Sequence, residues 1–85
     1  MYTKRDFGHE LKERVRSKEN VADIGNWAYS IYLEHIEDIN DTELREILLI
    51  LNHMSNEPGF ELSYQRLNEI ADDLIAEKKN INMDY

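Results

Sequence analysis

Between Leu44 and Met54 the chain reads Leu-Arg-Glu-Ile-Leu-Leu-Ile-Leu-Asn-His-Met, its most apolar window of that length. Leu44, Ile47, Leu48, Leu51 and Met54 recur at three- and four-residue steps, which predicts a helix with one buried face. Leu49 and Ile50 widen the stripe until only Arg45, Glu46, Asn52 and His53 are left for water. A helix apolar over more than half its circumference needs neighbours on more than one side, and the rest of the chain has to supply them. A bilayer span is excluded by length, because it takes about 20 predominantly apolar residues and charge interrupts this stretch at Arg45 and Glu46.

The neighbours are legible on either side. Thr3 and Asp6 suit an N-cap with an acid in the first turn, and Phe7, Leu11 and Val15 then recur every four residues. This first helix has a thin apolar stripe, and Gly8 within it lowers helix stability, so weak packing on one side of the bundle is expected. Ser17 or Asn20 can cap a second helix carrying Val21, Ile24, Trp27, Ala28, Ile31 and Ile36. Trp27 falls on that stripe, Tyr29 and Tyr32 sit on adjoining turns as a conceivable aromatic patch, and Gly25 would let another helix approach closely. Asn40 or Asp41 caps the central helix, with Glu43 favourably placed against its dipole. Ser55 to Phe60 is a break, since Pro58 lacks a donor and Gly59 permits positive φ; Phe60 and Leu62 can fold back onto the core. Ser63 caps a last helix with Leu67, Ile70, Ala71, Leu74 and Ile75 on one face.

No window alternates with period two, so the class is all-α: a compact antiparallel bundle of three strong helices plus a weaker N-terminal one. With 85 residues there is room for one small core. The domain is expected to span residues 1–79, with 80–85 as a frayed tail.

Function is narrowed first by what is missing. There is no cysteine, which removes disulfides and thiolate metal sites and points to a reducing cytoplasm; the N-terminus lacks the apolar core of a signal peptide. His9, His35 and His53 stand near no nucleophile signature. His9 with Glu13, His35 with Asp38 and His53 with Glu57 have ligand spacing, but no third and fourth ligand follow, so neither a metal nor another cofactor is expected. Gly8, Gly25 and Gly59 are isolated and form no phosphate loop. The expectation is therefore a protein without enzymatic activity.

Charge is more informative. Ten Lys and Arg against 18 Asp and Glu leave a net −8, which repels nucleic acid and anionic lipid and argues for a basic partner. Residues 1–20 carry six bases and four acids, so the acidic field belongs to the remainder. Its densest run is the junction before the central helix. Glu34, Glu37, Asp38 and Asp41, with Glu57 and Glu61 on the second loop, are the candidate partner-binding residues; a solvated face is the ordinary alternative. Arg5, Lys12 and Arg16 fall near one face of the first helix and could touch phosphate, or could pair with Glu13 and Glu19.

The run from Ser17 to Ala28, Ser-Lys-Glu-Asn-Val-Ala-Asp-Ile-Gly-Asn-Trp-Ala, joins a polar cap to a helix with Trp-Ala. Ile39-Asn40-Asp41-Thr42-Glu43-Leu44 leads into the apolar helix, and Gly59-Phe60-Glu61-Leu62-Ser63-Tyr64 precedes Ile70-Ala71-Asp72-Asp73-Leu74. Over residues 17–76 this resembles small acidic helical immunity proteins encoded beside bacterial toxins, including those of contact-dependent growth inhibition and bacteriocin systems. The resemblance implies a tight stoichiometric inhibitor of a cognate toxin domain, often a nuclease with a basic site, and no catalysis of its own. Such families differ in the surface they use, so no binding residue transfers by position. A helical adaptor or oligomerisation module, and a regulatory nucleic-acid binder acting through Arg5, Lys12 and Arg16, are the competing functions.

Overall fold

The structure is a computed structural model that describes residues 1–57, 59 and 61–83; the expectations placed on Pro58, Phe60, Asp84 and Tyr85 lie outside the described residues. Among the described residues there are four α-helices and no strand: α1 (Lys4–Arg16), α2 (Val21–Glu34), α3 (Thr42–Asn56) and α4 (Tyr64–Ile75).

Each helix begins where a side chain can take up the orphan amides of its first turn. Thr3 and Asp6 form a capping box at α1. Asn20 caps α2, while Ser17 closes the end of α1. Asp41 caps α3 through the amides of Glu43 and Leu44, at 2.9 and 3.2 Å, and Ser63 caps α4. Both α1 and α4 end with a residue of positive φ, Lys18 at 58° and Glu77 at 55°. In each case the next two amides turn back onto the last helical carbonyls, as Lys18 does to Val15 and Glu19 to Arg14.

The helices associate as two close antiparallel pairs, α2 with α3 and α1 with α4. A glycine lies at each closest approach. A Cβ on Gly25 would stand 2.8 Å from the Leu51 carbonyl oxygen, and one on Gly8 would stand 2.9 Å from the Ala71 carbonyl, the Ile75 amide and the Leu74 Cβ. So α1, expected to pack weakly because of Gly8, is seated against α4 through that residue: the missing Cβ lets the two backbones meet. Between the pairs lies the core, where Phe7, Leu11, Ile24, Leu44, Leu48, Leu51, Leu67, Ile70 and Leu74 are fully buried. Trp27 is half-buried, stacked on Phe7 with centroids 4.8 Å apart and covered by the Arg14 guanidinium at 4.2 Å. It belongs to the packing and stands apart from the stacked pair Tyr29 and Tyr32.

Three local expectations need correcting. Helix α2 stops at Glu34, so Ile36 lies in a turn and is 42% exposed, and Ile39 fills the core instead. On α3 the stripe is narrower than its composition suggests, for Leu49 is 38% exposed. Residues 80–83 make defined contacts: the Asn80 and Ile81 amides donate to the Glu43 carboxylate, Arg66 donates to the Asn82 carbonyl, and Ile81 and Met83 pack against the core.

Candidate protein-binding surface

The pairing of helices sorts the charge. Residues 21–57, which form α2, α3 and their junction, contain eight Asp and Glu and a single base, Arg45; the other nine bases lie in the segments that form α1, α4 and their flanks. Arg45 is itself engaged with the α2–α3 junction, donating from Nε to the Ile39 carbonyl at 3.0 Å and from Nη2 to the Ile36 carbonyl at 2.9 Å. One layer of the bundle is thus strongly acidic while the other is close to balanced. In the balanced layer the bases of α1 are engaged. Lys12 pairs with Asp72, Arg16 with Glu13 at 3.2 Å, Arg14 with Glu19 at 2.8 Å, and Arg5 donates to the Ile75 carbonyl at 3.3 Å. The three residues that could have formed a phosphate-binding face each have a protein partner.

The six acids singled out from sequence do not form one surface. Glu34 and Glu37 are exposed at the end of α2 and the turn after it, and make no hydrogen bond or ion pair among the described residues. Asp38 is beside them, 3.3 Å from the Met1 amino group and 3.5 Å from the His35 ring. Asp41 is committed to the fold: besides capping α3, its carboxylate is 3.3 Å from Lys4 Nζ. Glu57 and Glu61 lie beyond the far end of α3, a helix of 15 residues and so about 22 Å long. The second loop does not run alongside the acidic junction, because α3 itself separates them. Glu57 caps α3 and pairs with His53 at 2.9 Å; Glu61 is exposed.

No pattern in the sequence pointed to Lys4 as a structural residue. It is only 5% exposed, and its ammonium donates to Glu43 at 2.7 Å and to the Lys78 carbonyl at 3.0 Å, with Asp41 as third partner. Three acceptors around three donors hold together the start of α1, the start of α3 and the chain after α4. Burial lowers the Lys4 pKa, but the bonds to Glu43 and Asp41 outweigh it and the net shift is upward. The Lys4 bond, aided by the Ile81 and Asn80 amides, holds the Glu43 carboxyl below its usual range. Tyr2 lies against the same end, stacked on His35 at 4.3 Å; burial and its bond to Glu10 push the phenol well above its usual pKa.

These shifts set a pH dependence. A depressed carboxylate contributes stability that is present above its unfolded pKa and lost as pH falls through the folded value. The Glu43 contribution therefore fades below about pH 4.5. Lys4 and Tyr2, both raised, contribute stability that is complete below their unfolded values near 10.5 and 10.0 and fades above them. Glu43→Gln is expected to lower stability by about 1.5–3 kcal/mol at pH 7, with the difference from wild type shrinking toward pH 3. Thermal melts across pH check this; a constant difference down to pH 3 would contradict it.

Among the described residues, no group of three or more His, Asp or Glu side chains is arranged to hold a metal ion. No described helix is long and apolar enough to cross a membrane. Two open hollows lie among the described residues, one lined by Glu10, Glu13, Arg14, Ser17 and Glu19, the other by residues around Met54 and Glu61. The acidic α2–α3 layer is then the most distinctive surface. The chain matches no known protein family, no curated protein and no solved structure. Its function has to be argued from that layer.

Proposed function

We propose that this protein is a stoichiometric inhibitor of the immunity type, which binds a basic toxin domain and neutralises it without turnover of its own. The observation that carries this reading is the separation of charge between layers. Eight acids and one engaged base in the α2–α3 segment, against which α1 sets only the Lys4 ammonium and the Met1 amino group, leave that layer with a negative field that draws in a basic domain and repels nucleic acid and lipid. The resemblance of residues 17–76 to small acidic immunity proteins agrees with it, and the absence of cysteine suits action in the cytoplasm. An inhibitor needs fast capture, because a toxin does damage until it is bound, and electrostatic steering is the physical means of raising an association rate.

The test compares two charge reversals of equal size. Glu34→Lys with Glu37→Lys alters the acidic layer at side chains that make no hydrogen bond or ion pair among the described residues. Glu69→Lys with Glu77→Lys changes the same net charge on the α4 side. Association with the product of the adjoining reading frame is expected to slow about ten-fold or more at low salt for the first pair, and far less for the second. The slowing should fade as the Debye length shrinks from about 30 Å at 0.01 M to about 8 Å at 0.15 M salt. Equal rates for both pairs would reject the α2–α3 layer as the steering surface. Asp41 is left out of the test, since Asp41→Lys removes an N-cap worth about 0.5–2 kcal/mol and sets a cation beside Lys4.

A further inference from the structure

Four large apolar side chains face water within the acidic layer: Tyr29 at 40% exposure, Leu33 at 53%, Ile36 at 42% and Leu49 at 38%. They share one flank. On α2, Tyr29 and Leu33 are four residues apart and follow one face. The Arg45 guanidinium, bound to the Ile36 carbonyl, fixes the start of α3 against the end of α2. Leu49 is one turn beyond Arg45. Because the helices run antiparallel with Gly25 against the Leu51–Ser55 turn, stepping back one turn along α3 and forward one turn along α2 sets Leu49 level with Tyr29, one turn before Leu33. The result is an apolar strip along the outer seam of α2 and α3, with acids on both sides, among them Glu37 and Glu46, both exposed.

We propose that this strip is the contact core of the partner interface, and that its occupant is a basic protein domain presenting apolar side chains inside a ring of Lys and Arg. The proposal rests on the inhibitor reading and adds where the complex is held together. Charge decides the class of occupant. A second copy of this chain would bring one acidic layer against another, an arrangement that like-charge repulsion opposes. A basic domain meets the same acids with complementary sign, and its apolar side chains cover the strip that water now touches. An apolar centre inside a polar rim is the ordinary anatomy of a protein interface. The two parts have separable duties: the rim acts on approach, and the buried centre acts on residence.

That separation supplies the test. Leu33→Ser with Leu49→Ser is measured against the product of the adjoining reading frame, beside wild type and the Glu34→Lys, Glu37→Lys pair. The serine pair should raise the dissociation rate about ten-fold or more while leaving the low-salt association rate within about two-fold. The charge pair should do the opposite. Because both leucines are exposed, thermal melting of the serine pair is expected to match wild type closely. Leu33→Met with Leu49→Met, which keeps apolar bulk, should restore slow dissociation; a loss caused by misfolding would not follow that order. Formation of the complex with an unchanged dissociation rate in the serine pair would overturn this proposal and leave the inhibitor reading standing. Failure of the wild-type protein to bind that product would reject both. A wild-type dimer in solution that the serine pair dissociates would also overturn it, since the strip would then be covered by a second copy.

Discussion

Leu51→Ala is expected to lower unfolding stability by about 2–5 kcal/mol, and Leu48→Ala by a similar amount. Both side chains are fully buried on α3, between the closely packed α2 and the opposite layer. Truncation removes apolar area from burial and leaves a cavity that helices pinned together elsewhere cannot collapse to fill. Here the neighbours are pinned, because the Leu51 carbonyl lies against Gly25 and the start of α3 is tied to α1 through Lys4. A domain of this size is stable by only about 4–13 kcal/mol, at 0.05–0.15 kcal/mol per residue, so either substitution removes a large share. Leu49→Ala is the internal control: the same chemistry two residues away, on a side chain 38% exposed, should fall well below the other two. Urea denaturation of the three variants decides it, and near-equal losses would mean that α3 is not enclosed as described.

The second large effect has an unusual sign. Glycine within a helix is about 1 kcal/mol less favourable than alanine, so Gly8→Ala or Gly25→Ala on a solvated helix face would stabilise. In this fold each should destabilise. The new methyl group at Gly25 meets the Leu51 carbonyl oxygen at 2.8 Å, and at Gly8 it meets two backbone atoms and the Leu74 Cβ at 2.9 Å. Backbone cannot swing aside as the tip of a side chain can, so one helix must move off the other. Overpacking of this kind costs about 1–3 kcal/mol, enough to reverse the propensity gain. The two sites belong to different helix pairs, so the double variant should lose roughly the sum of the single losses. Thermal and chemical unfolding of the singles and the double check this. A rise in stability at either position would show that its helix pair is looser than the structure has it.

The two substitutions bear on function as well as folding. Gly25 sets how near α2 comes to α3, and that spacing brings Leu49 beside the α2 turn that carries Tyr29. A larger residue there should widen the seam and weaken partner binding in proportion to its effect on stability. Exposed changes on the strip should act on binding alone.

Much of the helical layout was legible in the residues. Periodicity identified the buried faces of α3 and α4, and capping side chains marked the starts of α1 and α4 and narrowed those of α2 and α3 to two residues each, because both signals depend on residues within a turn or two of each other. The acidic bias of the second helix and its junction could be counted directly. Three features could not be read in that way. Gly8 and Gly25 carry the same local propensity penalty as any helical glycine; only the placement of α4 and α3 against them turns that penalty into a requirement for close approach. Lys4 reads as one base among several on α1, and its role depends on Glu43 and the carbonyl of Lys78, residues 39 and 74 positions away. Ile36 and Leu49 fit apolar stripes on spacing, yet lie open to water because α2 ends at Glu34 and no helix covers that flank of α3. Sequence alone determined the helical class and the sign of the net charge, since the first follows from local periodicity and the second from composition. The tertiary structure decided that the acids share a layer with the exposed apolar strip, because helix pairing alone sets which faces end up together.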